Sequence, residues 1–222
     1  MSLRANQLNG FNAGGAVSPL TSIAYQSTSN NGGTLTLTLP SDIVVYDLII
    51  VWSLRVGTLG LDDFTADGFT KIAEATANGT FSTDAAANIW YRIADGSEAS
   101  QNLTLISGGG NNGSYAYVFR PNGALTSVTV NDVKQEGTTG NPTAGTLNGQ
   151  SGANPQLLVA SYSGTGDVSP RIFSTAADAE FNPSTFNYGK YEILNSVPGG
   201  STSIDMDDEG SNVLLGARLQ LA

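Results

Sequence analysis

Residues 33–40 read GTLTLTLP and residues 47–54 read DLIIVWSL. The first stretch alternates with period two: Leu35, Leu37 and Leu39 share one face, and Thr34, Thr36 and Thr38 share the other. Successive side chains of an extended strand point to opposite faces, so this pattern predicts a strand with one face buried and one in water. The second stretch is apolar without a break from Leu48 to Trp52. A run of that length predicts a strand covered on both faces. The pair points to a layered all-β protein.

The rest of the chain repeats the rhythm. Further strand candidates are TSIAYQS (21–27), FTKIAEAT (69–76), NIWYRIA (88–94), QNLTLIS (101–107), SYAYVFR (114–120) and ALTSVTV (124–130). More follow at PQLLVASYS (155–163), RIFST (171–175), GKYEILNS (189–196), TSIDM (202–206) and NVLLGARLQLA (212–222). Turn-forming clusters separate nearly all of them: ADGSE, GGGNNG, RPNG, SGTGD, VPGG and DEGSN. The only helical candidate is one turn at Ala176–Glu180. Many short strands joined by Gly- and Pro-rich turns predict a sandwich or barrel.

Two stretches depart from the rhythm. Residues 1–19 are rich in Asn, Gly and Ala and are expected to form an N-terminal arm ahead of a sandwich domain at 20–222. Residues 137–155, GTTGNPTAGTLNGQSGANP, read as a long loop with almost nothing to bury. Loops of that length are usually functional, contact-making or simply connectors.

Composition excludes several function classes. The 222 residues include 27 glycines, 13% charged residues and 40% hydrophobic residues, which describes a folded chain with a sizeable core. Net charge is −10 and the nine basic residues are scattered, so neither nucleic acid nor an anionic membrane is an expected partner. No apolar run approaches a transmembrane helix, and the N-terminus has no secretory apolar core. The chain has no Cys and no His, which removes Ser-His-Asp and Cys-His nucleophile systems, thiolate or imidazole zinc sites, and disulfides.

An internal echo runs through the chain. IWYRIADGSEASQNLTLISGGGNNGSYAYVFR (89–120) aligns without a gap on KYEILNSVPGGSTSIDMDDEGSNVLLGARLQL (190–221). Trp90 falls on Tyr191, Ile93 on Leu194, Leu103 on Ile204, Leu105 on Met206, Ala116 on Ala217 and Val118 on Leu219. An apolar strand precedes each copy, at 47–53 and 156–163. The echo is either the generic rhythm of β-meanders or a pseudo-repeat. In the second case the fold is one jelly-roll-like β-sandwich of about a dozen strands built from two similar halves.

A family resemblance rests on four pieces. They are Asp47-Leu48-Ile49-Ile50-Val51, Gly68-Phe69-Thr70-Lys71-Ile72-Ala73, Trp90-Tyr91-Arg92-Ile93-Ala94-Asp95-Gly96-Ser97-Glu98 and Tyr115-Ala116-Tyr117-Val118-Phe119-Arg120. Their order over about residues 33–123 resembles a β-sandwich module that recurs in structural proteins of tailed bacteriophages. Tyr46 stands where that module usually has glycine, Phe69 where it has tryptophan, and Arg120-Pro121 where it has Arg-Gly. The resemblance implies a non-enzymatic virion protein at the particle surface, foremost a capsid decoration (cement) protein. Its partners would be the major capsid protein or other virion proteins and further copies of itself, with a trimer expected and no cofactor. The alternative is a tail or fibre module that binds host-surface glycan. Such modules occur in head, tail and fibre alike, so the fold does not fix the role.

Candidate sites compete with plainer readings. In Ala94-Asp95-Gly96-Ser97-Glu98 the acids and serine could bind a ligand, or form a turn in which Asp95 accepts backbone N–H bonds and Gly96 supplies a positive φ. Asp62, Asp63 and Asp67 offer three carboxylates to a calcium ion that prefers six to eight oxygens, so a solvated acidic loop is the expectation. Nineteen acids make some glycosidase-like pair inevitable by chance, and none stands out. Tyr115, Tyr117 and Phe119 share a strand face that could stack sugars but is expected to be core. In STSIDMDDEGSN (201–212), Asp205, Asp207 and Glu209 resemble the start of a calcium loop. The twelfth position of an EF-hand loop starting at Asp205 is Gly216, not an acid, and the echoed turn in the first half is Gly108-Gly109-Gly110. The expectation is a hairpin end and no metal.

Overall fold

A computed structural model describes residues 18–31, 33–57, 68–77, 84–105, 111–138, 145–148, 155–164, 179–184, 187–194, 201–204 and 212–222. The described residues form fourteen strands and no helix. The first half contributes β1 (Ser18–Asn31), β2 (Leu35–Thr38), β3 (Leu48–Gly57), β4 (Thr70–Ala77), β5 (Asp84–Ile93), β6 (Asn102–Leu105) and β7 (Asn111–Asn122). The second contributes β8 (Val128–Thr138), β9 (Gly145–Leu147), β10 (Gln156–Gly164), β11 (Ala179–Ser184), β12 (Asn187–Leu194), β13 (Thr202–Ile204) and β14 (Asn212–Leu221).

Both halves are wired alike. The first forms an antiparallel sheet ordered β1-β7-β3-β5-β4 and a small sheet β2-β6. The second forms β8-β14-β10-β12-β11 and a small sheet β9-β13. Each half is thus a nested ribbon: first strand with last, second with sixth, third with fifth, and the fourth outside the fifth. A jelly roll has eight strands in two sheets. Here each half keeps seven and puts five of them in its large sheet. The expected β-sandwich is present, and the echo corresponds to this repeated wiring.

The two large sheets face one another, with β3, β4 and β5 lying over β10 and β14. Between them sits the main core, which includes Leu48, Ile50, Trp52, Leu54, Tyr115, Phe119, Leu157, Val159, Tyr191, Leu215, Ala217 and Leu219. Each small sheet covers the outer face of its own large sheet. Under β2-β6 lie Leu35, Leu37, Leu39, Ile49, Val51, Trp90, Ala116 and Val118. Under β9-β13 lie Leu147, Leu158, Ala160, Tyr162 and Leu214. The order of layers is therefore small, large, large, small. Strand β3 is central in its sheet and packed on both faces, as its unbroken apolar run requires.

The gapless alignment of the echo needs a correction of phase. It preserves strand pairing, since Val51 stands between Trp90 and Ala116 as Val159 stands between Tyr191 and Ala217. The faces are inverted, however: Trp90, Ala116 and Val118 lie under the small sheet, whereas Tyr191, Ala217 and Leu219 lie in the main core. A shift of one residue moves every side chain of a strand to the other face. The consistent match places Asp47, at the head of β3, opposite Gln156, at the head of β10.

Other boundaries also move. Ser18 and Pro19 belong to β1 and not to an N-terminal arm, whose residues 1–17 lie outside the described set. The 137–155 loop contains β9, in which Leu147 is fully buried. Ala179 and Glu180, expected in a helical turn, open β11. The strand expected at 171–175 lies outside the described residues. Strands β4 and β8, edges of different sheets, come together at Gly137, where an added Cβ would overlap the Thr76 carbonyl oxygen.

Candidate functional site

Asp47 is a charged residue placed directly before a fully buried strand, and it is itself only 1% exposed. A buried carboxylate needs compensating partners. Its Oδ1 accepts from Arg120 Nε at 2.9 Å, and its Oδ2 accepts from Arg120 Nη2 at 2.8 Å and from the Val44 N–H at 2.9 Å. This two-pronged guanidinium contact is the strong, directional kind. Arg120 also donates to the Asp42 carbonyl at 2.7 Å. The Asp47 carboxylate beside it raises the Arg120 pKa above its ordinary value.

The neighbouring turn is built on the same plan. Glu98 is fully buried. Its Oε1 accepts from Arg92 Nε at 2.7 Å and from the Asp95 N–H at 3.2 Å, and its Oε2 accepts from the Gly96 N–H at 3.0 Å. Asp95 bonds Arg92 at 3.0 Å and accepts the Ser97 N–H at 2.9 Å; the Ser97 side chain first, and then this N–H bond, hold its carboxyl below the usual range. Gly96 adopts φ 95°, and an added Cβ would meet Val45 Cγ2 at 3.0 Å. Gly68 packs against Arg92 more closely still.

These pieces form one corner at the end of the first large sheet. Tyr46 N–H donates to the Ala94 carbonyl and Ala94 N–H to the Asp47 carbonyl, each at 2.8 Å, which extends the β3-β5 ladder by a rung. Asp47 N–H closes a turn onto the Val44 carbonyl at 3.1 Å. Tyr46, third in that turn, has φ 73°. A positive φ at this position is the requirement that glycine normally meets. Val44, Val45 and Tyr46 stand outside the corner, 49%, 47% and 46% exposed.

In the second half a pair of glutamines stands at the equivalent ladder end. Gln156 Oε1 accepts from Arg218 Nη1 at 2.7 Å, and its Nε2 faces Gln220 Oε1 at 3.4 Å. Asp47 with Arg120 and Gln156 with Gln220 occupy matching ladder ends, since Leu48 pairs with Phe119 and Leu157 with Leu219.

The corner gathers Asp47, Gly68, Arg92 through Glu98, and Arg120, residues from all four pieces that carry the resemblance. Its arrangement is that of a clamp. Both buried carboxylates are engaged by guanidinium and backbone N–H groups. Asp95, Gly96 and Glu98 form the turn described for the plainer reading, with Glu98 adding the buried tie to Arg92.

The aromatic stripe is core. Tyr115 and Phe119 are fully buried and Tyr117 nearly so, with Tyr117 and Phe119 edge-on to Tyr191 at 4.8 and 4.9 Å. That face is closed to a sugar. The acidic candidates Asp205, Asp207 and Glu209, and likewise Asp62, Asp63 and Asp67, lie outside the described residues. Among the described residues, no group of three or more acids could hold a metal ion. Sequence reasoning missed the exposed Val44–Tyr46 turn. The available signal was Tyr46 itself, standing where the phage module has glycine. No known protein family, curated protein or solved structure matches the chain.

Proposed function

We propose that the protein is a non-enzymatic structural component of a bacteriophage particle, a capsid decoration (cement) protein on the particle surface. It would bind the major capsid protein and its own copies, as a closed homo-oligomer with a trimer expected. The observation that carries this reading is the corner. The residues through which the chain resembles phage β-sandwich modules hold one another in place, with both buried carboxylates spent on structure. Such a corner suits a body whose task is to present a rigid surface. Decoration would work by burying sheet edges and loops against the shell, adding contacts that must break before the shell opens.

Tyr46 is the observation that keeps a second reading, a tail or fibre module binding host-surface glycan. It is an exposed aromatic ring held on a fixed turn. Particles lacking the protein separate the two. Decoration predicts normal adsorption with lowered resistance to heat and osmotic shock, reversed by adding back purified protein. Normal resistance with lost adsorption would transfer the role to the tail.

A further inference from the structure

We propose that the Val44–Val45–Tyr46 turn is a preformed anchor that seats in an apolar pocket with a positively charged rim on a different protein of the particle. Four large hydrophobic residues are exposed among the described residues: these three and Val130, at 37%. Single exposed apolar residues are ordinary, but three in succession at the tip of one turn form a patch that calls for an explanation.

The fold does not demand this patch. The residues that lead into the equivalent strand of the second half are Ala153-Asn154-Pro155, none of them large and apolar. Nor does the backbone favour the residue found there. At φ 73° glycine or asparagine is at ease, whereas a tyrosine resists. A strained position that the surroundings hold in place points towards function. Here the surroundings are the Ala94 carbonyl, the Val44–Asp47 turn bond and the Asp47 carboxylate clamped by Arg120. A turn so fixed loses little freedom on binding, and tyrosine is among the residues that most often dominate interface energies.

Charge selects the occupant. Around the turn stand the carboxylates of Asp42, Asp47, Asp95 and Glu98 against the guanidiniums of Arg92 and Arg120, an excess of two negative charges among the described residues. The whole chain carries −10. Two copies meeting through this corner would oppose like charges, whereas a pocket rimmed by Lys or Arg would be complementary. A glycan would use the ring and leave both valines in water.

The inference rests on the assembly reading for where the partner is found. The test uses full-length protein and purified particles from a deletion strain, with binding measured by co-sedimentation over a range of protein concentrations. Tyr46→Gly keeps the positive φ and removes the ring, and Val45→Ser removes half the remaining apolar tip. Wild type is expected to bind, more weakly as salt rises. Tyr46→Gly should bind at least about 30-fold more weakly, the factor that corresponds to a hot spot, while its thermal midpoint stays within about 4 °C of wild type. Equal binding by wild type and both variants overturns the anchor and leaves the assembly reading intact. Failure of wild type to bind overturns the assembly reading and this partner together. A Tyr46-dependent dimer in sedimentation velocity would assign the turn to a second copy, and Tyr46-dependent retention on host-surface glycan would assign it to a sugar. Either result overturns the proposal.

Discussion

Replacing Arg120 with glutamine tests the corner energetically. Asp47 is 1% exposed and would keep only the Val44 N–H of its three donors. Removing one partner of a buried ion pair destabilises by about 3–5 kcal/mol, because the remaining charge is left without compensation. Arg120 is 38% exposed, so water reaches the site from its side and the lower end applies. We expect a loss of about 3 kcal/mol, which for a chain of this size lowers the thermal midpoint by about 6–12 °C. The second half shows how to restore the site, since its matching ladder end pairs two neutral side chains, Gln156 and Gln220, with Arg218 donating to Gln156. The double variant Asp47→Gln/Arg120→Gln should therefore recover about 2 kcal/mol of the loss. Urea denaturation of wild type, both singles and the double provides the four stabilities. A loss under about 1 kcal/mol for Arg120→Gln, or a double variant no better than the single, would refute the clamp.

Two further substitutions probe other joints. Gly137→Ala should destabilise by about 2–3 kcal/mol, because the new Cβ meets the Thr76 backbone carbonyl, which cannot rotate away; an unchanged urea midpoint would show that the β4-β8 junction is loose. Burial pushes the Asp132 carboxyl up, but the Asn148 N–H and Lys134 outweigh it and hold its pKa below the ordinary value. A folded pKa below the unfolded one means stability that is present above about pH 4 and lost as pH falls through the folded value. Wild type should thus be more stable than Asp132→Asn at about pH 6 and lose that advantage by about pH 2; an advantage that survives acid would contradict the assignment.

Much of the fold was legible because its central strands are apolar in a regular phase. Leu35, Leu37 and Leu39 are buried and Thr36 and Thr38 are exposed, as period two requires. What escaped were elements whose residues do not advertise their state. Strand β8 continues through Asn131-Asp132-Val133-Lys134-Gln135-Glu136, an edge strand whose polar residues are only partly covered. Strand β9 is three residues long, and its pairing with β13, its packing against β8 and β14 and the burial of Leu147 make it structural. The phase error in the echo arose because β7 and β14 carry apolar residues on both faces, so nothing in either run marks which face meets the other half. The corner was half legible. Its turn residues follow local rules, whereas the Asp47–Arg120 pair spans 73 positions and depends on β7 lying beside β3.

The number of copies per particle tests the account most directly. Quantitative mass spectrometry of purified particles should find the protein at a stoichiometry near that of the major capsid protein. A count of about a few dozen or fewer would contradict decoration, because so few copies could not cover the repeated contacts of a closed shell.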